Sequence, residues 1–152
     1  MAPPELRFAF EIEVEVATPL DLGQTQNGHR RVIVIRSGRV AGPRLQGRVL
    51  EGGGDWQILR ADGTADLDAR YTIQTGEGAL IYVVNRGVRH GPADVLARLN
   101  QGERVDPASY YFRSAATFET SAPEHAWLTR AILVGVGERY PDRVVIRFWE
   151  LL

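Results

Sequence analysis

The sequence predicts an all-β protein: a single antiparallel β-barrel of roughly nine strands with one short helix, enclosing a small-molecule pocket. Three observations predict it. Apolar and polar residues alternate at period two over long stretches, turn-forming Gly, Pro, Asn and Asp separate those stretches at short intervals, and only one segment carries helical spacing. Numerous strands joined by short connections must hide their edges, and closure is the usual solution for one domain, here residues 1–152. An open sandwich is the alternative architecture.

Leu6, Phe8, Phe10, Ile12, Val14 and Val16 alternate with Arg7, Ala9, Glu11, Glu13 and Glu15, which reads as a strand with one wet face. Pro19, Gly23, Asn27 and Gly28 mark a loop. Arg31–Arg36 is dense in β-branched residues and closes at Ser37-Gly38. Leu45–Leu50 and Trp56–Arg60 read as two short strands around the bend Gly52-Gly53-Gly54, the second ending at Asp62-Gly63. Leu67, Ala69, Tyr71 and Ile73 alternate with polar residues, and across Gly76-Glu77-Gly78 the segment Ala79–Val84 is apolar on both faces, giving a hairpin with a more buried second arm. Pro92–Asn100 is the helix, with Pro at its start, Val95, Leu96 and Leu99 on one side and Gly102 just beyond. Tyr110–Thr120, Trp127–Val136 and Val144–Leu152 return to strand composition, with turns around Pro123 and Pro141-Asp142.

Composition bounds the function. Apolar residues make up 44% of the chain and charged ones 24%, a globular balance. The 19 acidic and 18 basic residues nearly cancel, so nothing draws the chain to nucleic acid or anionic lipid. All the basic residues are arginine, read as a background bias of composition. Without cysteine there is no disulfide framework and no thiolate nucleophile or metal ligand. Neither a signal peptide nor a membrane-length apolar run is visible, and the expected location is cytoplasmic.

A barrel turns every second side chain inward, so polar residues in strands or at bends near a mouth are the candidates for chemistry. Three glycines before Asp55-Trp56 let the backbone bend and place a carboxylate beside an aromatic ring, where partial desolvation raises its basicity for general acid or base work. The competing reading is that Asp55 satisfies the backbone at the bend. In the segment around Tyr111, alternation puts Tyr111, Arg113 and Glu119 on one face and Tyr110, Phe112 and Phe118 on the other. Arg113 is then a candidate to hold a carboxylate or enolate oxygen, with Glu119 a second carboxylate opposite Asp55; an internal ion pair is the structural alternative. Trp56, Tyr71, Tyr82 and Tyr111 are candidate ligand contacts, Tyr71 and Tyr82 as hydrogen-bond donors or as core residues with wet hydroxyls.

The histidines His29, His90 and His125 lie apart in loops or turns with no paired metal-ligand spacing, so the expectation is no metal. His90 and His29 are candidates for a barrel mouth, against the plainer reading of exposed loop residues. Serine-hydrolase and P-loop motifs are absent.

Gly42-Pro43-Arg44-Leu45-Gln46-Gly47, Gly52-Gly53-Gly54-Asp55-Trp56-Gln57, Arg60-Ala61-Asp62-Gly63, Leu67-Asp68-Ala69-Arg70-Tyr71, Tyr111-Phe112-Arg113, Phe118-Glu119-Thr120 and Trp127-Leu128 together resemble the DUF3237 family, also called UPF0311. The resemblance runs from about Leu6 to the end and implies a calycin-like barrel, with no established reaction for the family as a whole. Two departures stand out. Glu77-Gly78-Ala79 occupies a place where relatives tend to carry Asp-Gly-Ala, and His29 stands where a small or hydroxylated residue is expected.

Two functional readings stay open. One is an enzyme without metal or organic cofactor that moves protons on a small, partly apolar oxygenated compound as a lyase, dehydratase or isomerase. In it, Asp55 is the acid or base, Glu119 its partner, Arg113 the anion stabiliser, and Tyr71 or Tyr82 the donor. The other is a non-catalytic carrier or sensor enclosing an apolar ligand. The apolar runs Ala79–Val84 and Phe148–Leu152 could supply the patch for a third reading, a scaffold acting through its outer surface, but an interface in a homodimer or higher homo-oligomer is the simpler use and the expectation.

Overall fold

The computed structural model describes residues 1–152. The strands are β1 (Leu6–Val16), β2 (Leu20–Thr25), β3 (Gly28–Ala41), β4 (Gly47–Val49), β5 (Gly54–Leu59), β6 (Ala65–Thr75), β7 (Leu80–His90), β8 (Tyr111–Glu119), β9 (Leu133–Arg139) and β10 (Arg143–Leu151). One α-helix, α1 (Ala93–Asn100), follows β7. Short 3₁₀ segments occupy Pro107–Ser109 and Pro123–Thr129.

The architecture is a closed eight-stranded antiparallel barrel with additional short strands. Around it run β1, β10, β9, β8, β7, β6, β5 and β3, and the β1–β3 pairing closes the ring. β2 flanks the start of β3, while β4 lies in line with β5, end to end, in the gap between β3 and β6. Closure depends on the length of β3. Its first half pairs with β2 and β5, and its second half with β1 and β4.

This corrects the reading of Ser37-Gly38 as a strand end. The glycine sits where β3 crosses β1, and a β-carbon there would lie 2.6 Å from the Glu13 carbonyl oxygen. The pair marks a close backbone approach within a continuous strand. Two further differences have local causes. Leu20–Thr25, expected as loop, is a strand on the barrel's outside, with Leu20 and Leu22 exposed and so no inward apolar row to announce it. Trp127 and its neighbours, expected in a strand, belong to the 3₁₀ segment started by Pro123, which presses Leu128 into the core before β9 begins at Leu133. No helix is long and apolar enough to cross a membrane.

The two ends of the barrel differ. At the end where β1, β7 and β9 begin, Phe10, Leu45, Ile73, Ile81, Leu128, Leu133 and Phe148 are all but inaccessible. Phe10 and Phe148 rings lie 5.1 Å apart, with Phe118 edge-on to both. This packed plug is the main hydrophobic core. At the other end, where β1, β5, β7 and β9 finish, α1 turns Val95, Leu96 and Leu99 onto the barrel and covers part of the opening. Between plug and opening lies a chamber.

Candidate active site

The chamber has mostly aliphatic walls, among them Ile12, Val14, Ile33, Ile35, Leu67 and Ile146. The inward face of β9 is pared to glycine. A β-carbon at Gly137 would stand 2.5 Å from the Phe112 ring, so glycine there lets that ring lie flat against the strand. Into these walls the strands set Asp55, Gln57, Tyr71, Asn85, Arg89, Ser114 and Arg139.

Asp55 is the carboxylate of the chamber. The glycine bend starts β5, and cross-strand register then puts Asp55 opposite Ile33 and Gln57 opposite Arg31. Gln57 Nε2 donates to Asp55 Oδ2 at 2.7 Å, and the Asp68 backbone N–H donates to Oδ1 at 2.9 Å. Behind this, Arg31 donates to Gln57 Oε1 at 3.1 Å and to Asn100 Oδ1 of α1 at 3.3 Å. The relay fixes the amide: Arg31 can only donate, so Gln57 must present its oxygen to Arg31 and its N–H₂ to Asp55.

The electrostatics of Asp55 are a contest. Burial drives its carboxyl above the ordinary aspartate range, against the hydrogen bonds from Gln57 and Asp68 and the charge of Arg89, which pull it down. Burial wins, leaving a base stronger than a surface aspartate but wired at both oxygens for the ionised form.

Arg31, Arg89 and Arg139 are 8%, 4% and 6% exposed, respectively. Burial first, then the charges of Arg139 and Arg31, push the Arg89 guanidinium down to about 10, so it stays cationic at neutral pH. Burial likewise lowers Arg139 and Arg31. The Tyr110 hydroxyl accepts the Arg139 backbone N–H at 2.8 Å and ties the end of β9 to the start of β8. Tyr71 OH, Asn85 Oδ1, Ser114 Oγ, Arg139 Nη1 and Arg31 Nε have no hydrogen-bond partner in the protein. Burial holds the Tyr71 phenol in its protonated form well past its usual range.

Of the residues singled out from sequence, Asp55 and Tyr71 reach the chamber. The rest lie on the outer surface. Arg113 and Glu119 are exposed on the outer face of β8, because Phe112, Ser114, Ala116 and Phe118 take its inward positions. The expected meeting of Asp55 with Arg113 and Glu119 therefore does not occur: the alternation of β8 was sound, but the polar face is the wet one. Tyr111 is exposed, with its ring 5.0 Å from the Arg113 guanidinium and stacked on exposed His90 at 4.9 Å. Tyr82, opposite Glu119, and Trp56, between inward Asp55 and Gln57, also point out. His29 is partly buried beside the mouth strands and pairs with Asp21 at 2.7 Å. No three imidazole or carboxylate groups gather anywhere in the chain.

Sequence reasoning passed over Arg31, Gln57, Asn85, Ser114, Arg89 and Arg139. A signal for most of them was present. Ile81, Val83, Asn85 and Arg89 share one face of β7, and Leu133 and Arg139 one face of β9, so a buried row turns polar as it nears one end.

Fold and site together define a small closed β-barrel with one packed end and one largely aliphatic chamber set with a few buried polar groups. The chain belongs to the family described as Protein of unknown function (DUF3237), which it matches over residues 4–151. It is 39% identical over 148 residues to the UPF0311 protein RPA1785 of Rhodopseudomonas palustris, covering 97% of each chain. The crystal structure of RPA1785 superposes with a TM-score of 0.94 over the whole of both chains. A beta-barrel like protein from Acinetobacter baumannii AYE, 40% identical, superposes with a TM-score of 0.87 over 100% of this chain and 98% of that one. A more distant relative, 26% identical over 149 residues, covering 98% of this chain and 85% of its own, is the hydroalkoxylation enzyme phnH of Penicillium herquei.

Proposed function

We propose that the protein is an enzyme that moves protons on a small, partly apolar oxygenated compound, adding an oxygen nucleophile across a conjugated C=C bond or eliminating it. The observation that carries this reading is Asp55: a carboxylate open to an apolar chamber, held by two N–H donors, made more basic by burial and near an arginine that does not ion-pair with it. The activity for which phnH is named, hydroalkoxylation, belongs to the same class of proton transfer and adds weight.

The steps close on the chain's own groups. Asp55 takes the proton of the nucleophilic hydroxyl as its oxygen bonds to the β-carbon of the conjugated system. The C=C electron pair moves to the carbonyl oxygen, and the resulting enolate lies against the Arg89 cation, with the Tyr71 hydroxyl as a further donor. Asp55, now protonated, returns the proton to the α-carbon. Nothing is oxidised or reduced, the carboxylate is regenerated, and the reverse sequence is a lyase or dehydratase reaction. Arg89 thus takes the role the sequence suggested for Arg113, and Tyr71 fills the donor role suggested for Tyr71 or Tyr82.

The test uses 2′-hydroxychalcone, whose ring closure to a flavanone is an intramolecular addition of this kind. The protein is expected to accelerate closure with one enantiomer in excess, and Asp55→Asn is expected to lower the rate by about 10²–10⁴-fold with the fold intact by circular dichroism. Equal turnover by Asp55→Asn overturns the reading. The rival, a carrier that encloses its ligand unchanged, is supported by the aliphatic walls. It predicts tight binding of the chalcone with no acceleration.

A further inference from the structure

Arg139 and Arg89 line the chamber and also an open recess at its mouth, so they stand at the threshold between the two. Arg31 and Arg36 line the recess as well. Arg31, Arg89 and Arg139 take part in none of the chain's ion pairs. Every other group of the barrel that is charged and nearly inaccessible would be expected to carry its own counter-ion, since an isolated buried charge is among the costliest things a fold can hold.

Here the count does not balance. Three buried guanidinium groups face one chamber carboxylate, Asp55, whose two oxygens are already taken by Gln57 and the Asp68 amide, and the recess adds only the exposed Asp142, which pairs with Arg143. Arg139 Nη1 and Arg31 Nε are buried donors without a protein partner. Arg89 meets the Phe112 ring, 5.8 Å from its centroid, instead of a carboxylate. Arg31 and the stretch of β9 that carries Arg139 are nevertheless held in place. Asn100 and Gln57 orient Arg31, and the Tyr110 hydroxyl anchors the backbone of Arg139. Buried guanidinium groups without ion-pair partners, lining a threshold between water and an apolar chamber, suit a planar anion.

We infer that the molecule entering the chamber is itself an anion, a carboxylate on a compact apolar body, whose charged group is received at the threshold by Arg139 and Arg31 while its body fills the aliphatic chamber. Arg36, exposed on the rim, adds to the field that draws the anion in. This rests on the proposed function only in taking the chamber as the place where the reacting molecule sits. Arg89 is left free for the oxygen that gains charge during the reaction, and the threshold pair serves the charge the substrate already carries.

Binding, not turnover, tests this. Benzoate, cinnamate and naphthoate are titrated against the protein by calorimetry beside their uncharged carboxamides. At least one acid is expected to bind about tenfold or more tightly than its amide and to weaken as salt rises. In Arg139→Met that preference is expected to vanish, and in Arg139→Lys, which keeps the charge but loses the fork, to be partial. Arg113→Met, on the outer face, leaves it unchanged. The same Arg139→Met is expected to raise Tm or leave it level, because it removes a buried charge with no counter-ion. A residue that only braces the fold would lower Tm when replaced. Acids that bind no better than amides, or that do not bind, overturn the inference, as does a preference that survives in Arg139→Met. Asp55→Asn is expected to bind the acids as well as the parent or better, so lost turnover with intact binding is a failure of catalysis and not of the anion receptor.

Discussion

The same strands build both ends of this barrel, and they build them differently. β7 contributes Ile81 and Val83 to the packed end, then Asn85 and Arg89 to the chamber; β9 runs from Leu133 to Arg139, and β8 from Phe112 and Ser114 at the chamber to Phe118 in the plug. At the packed end the inward side chains meet apolar neighbours, and the one buried polar atom left without a partner is His125 Nδ1 in the 3₁₀ segment beside the plug. At the chamber end, polar atoms are buried without partners, and three cations share a small space. Stability is concentrated at one end, and the chamber draws on it to hold groups that would not stay buried on their own account.

Breaking the packed end should cost most. Phe148 is fully buried and touches both Phe10 and Phe118. Phe148→Ala is expected to lower unfolding free energy by about 3–5 kcal/mol in a denaturant titration, from lost transfer energy and the cavity left behind. A loss below about 1 kcal/mol would mean that the plug is not the source of stability.

The chamber should respond with the opposite sign. Asn85 is 3% exposed, and its Oδ1 has no protein partner. Asn85→Leu, which fills nearly the same space with apolar surface, is expected to raise unfolding free energy by about 1–3 kcal/mol, the order of the penalty for a buried unsatisfied polar group. Destabilisation of that size would show that Asn85 is satisfied in a way that leaves the two ends alike.

The pH dependence sharpens the contrast further. Asp55 must be ionised to accept a proton, and burial raises its pKa above that of an ordinary aspartate. Activity is therefore expected to fall as pH drops through that raised value, about tenfold per unit below it, with the acid limb lying above pH 3.8. The stability linkage runs the other way. A carboxyl whose folded pKa is raised contributes stability that is fully present below the unfolded value and lost as pH rises through the folded one. In a kcat/KM profile, an acid limb at or below that of a free aspartate would remove Asp55 from the base role.

How much of this was legible in the sequence follows from the same contrast. Period-two alternation located most barrel strands because each has an apolar inward row and a polar outward one, as in Leu6–Val16. It missed β2, which has no inward row, and ended β3 too soon at Gly38, where the reason for glycine is a contact with Glu13 across the closure. Asp55 was found because the glycines before it announce a bend. Arg89 and Arg139 were not, because a single arginine at the end of an apolar strand looks like a residue emerging into solvent. Only the register of neighbouring strands, and α1 lying over the opening, show that these positions are still inside. The error over Arg113 and Glu119 has the converse cause. Two charges on one face of a strand are ordinarily the wet face, and the apolar partners Phe112 and Phe118 already marked the buried one.

The smallest expected effect is at those outer residues. Arg113 donates to the Phe112 carbonyl at 3.0 Å and rests near the Tyr111 ring, and Glu119 is exposed opposite Tyr82. Neither forms an ion pair or borders the chamber. Arg113→Gln and Glu119→Gln are each expected to shift unfolding free energy by no more than about 0.5 kcal/mol, as for surface substitutions away from special features. Both should leave the rate of chalcone closure within about twofold of the parent, a change of roughly 0.4 kcal/mol in barrier. A large loss of rate in either variant, with stability intact, would move the chemistry to the outer face of β8 and reverse the assignment of the two surfaces of that strand.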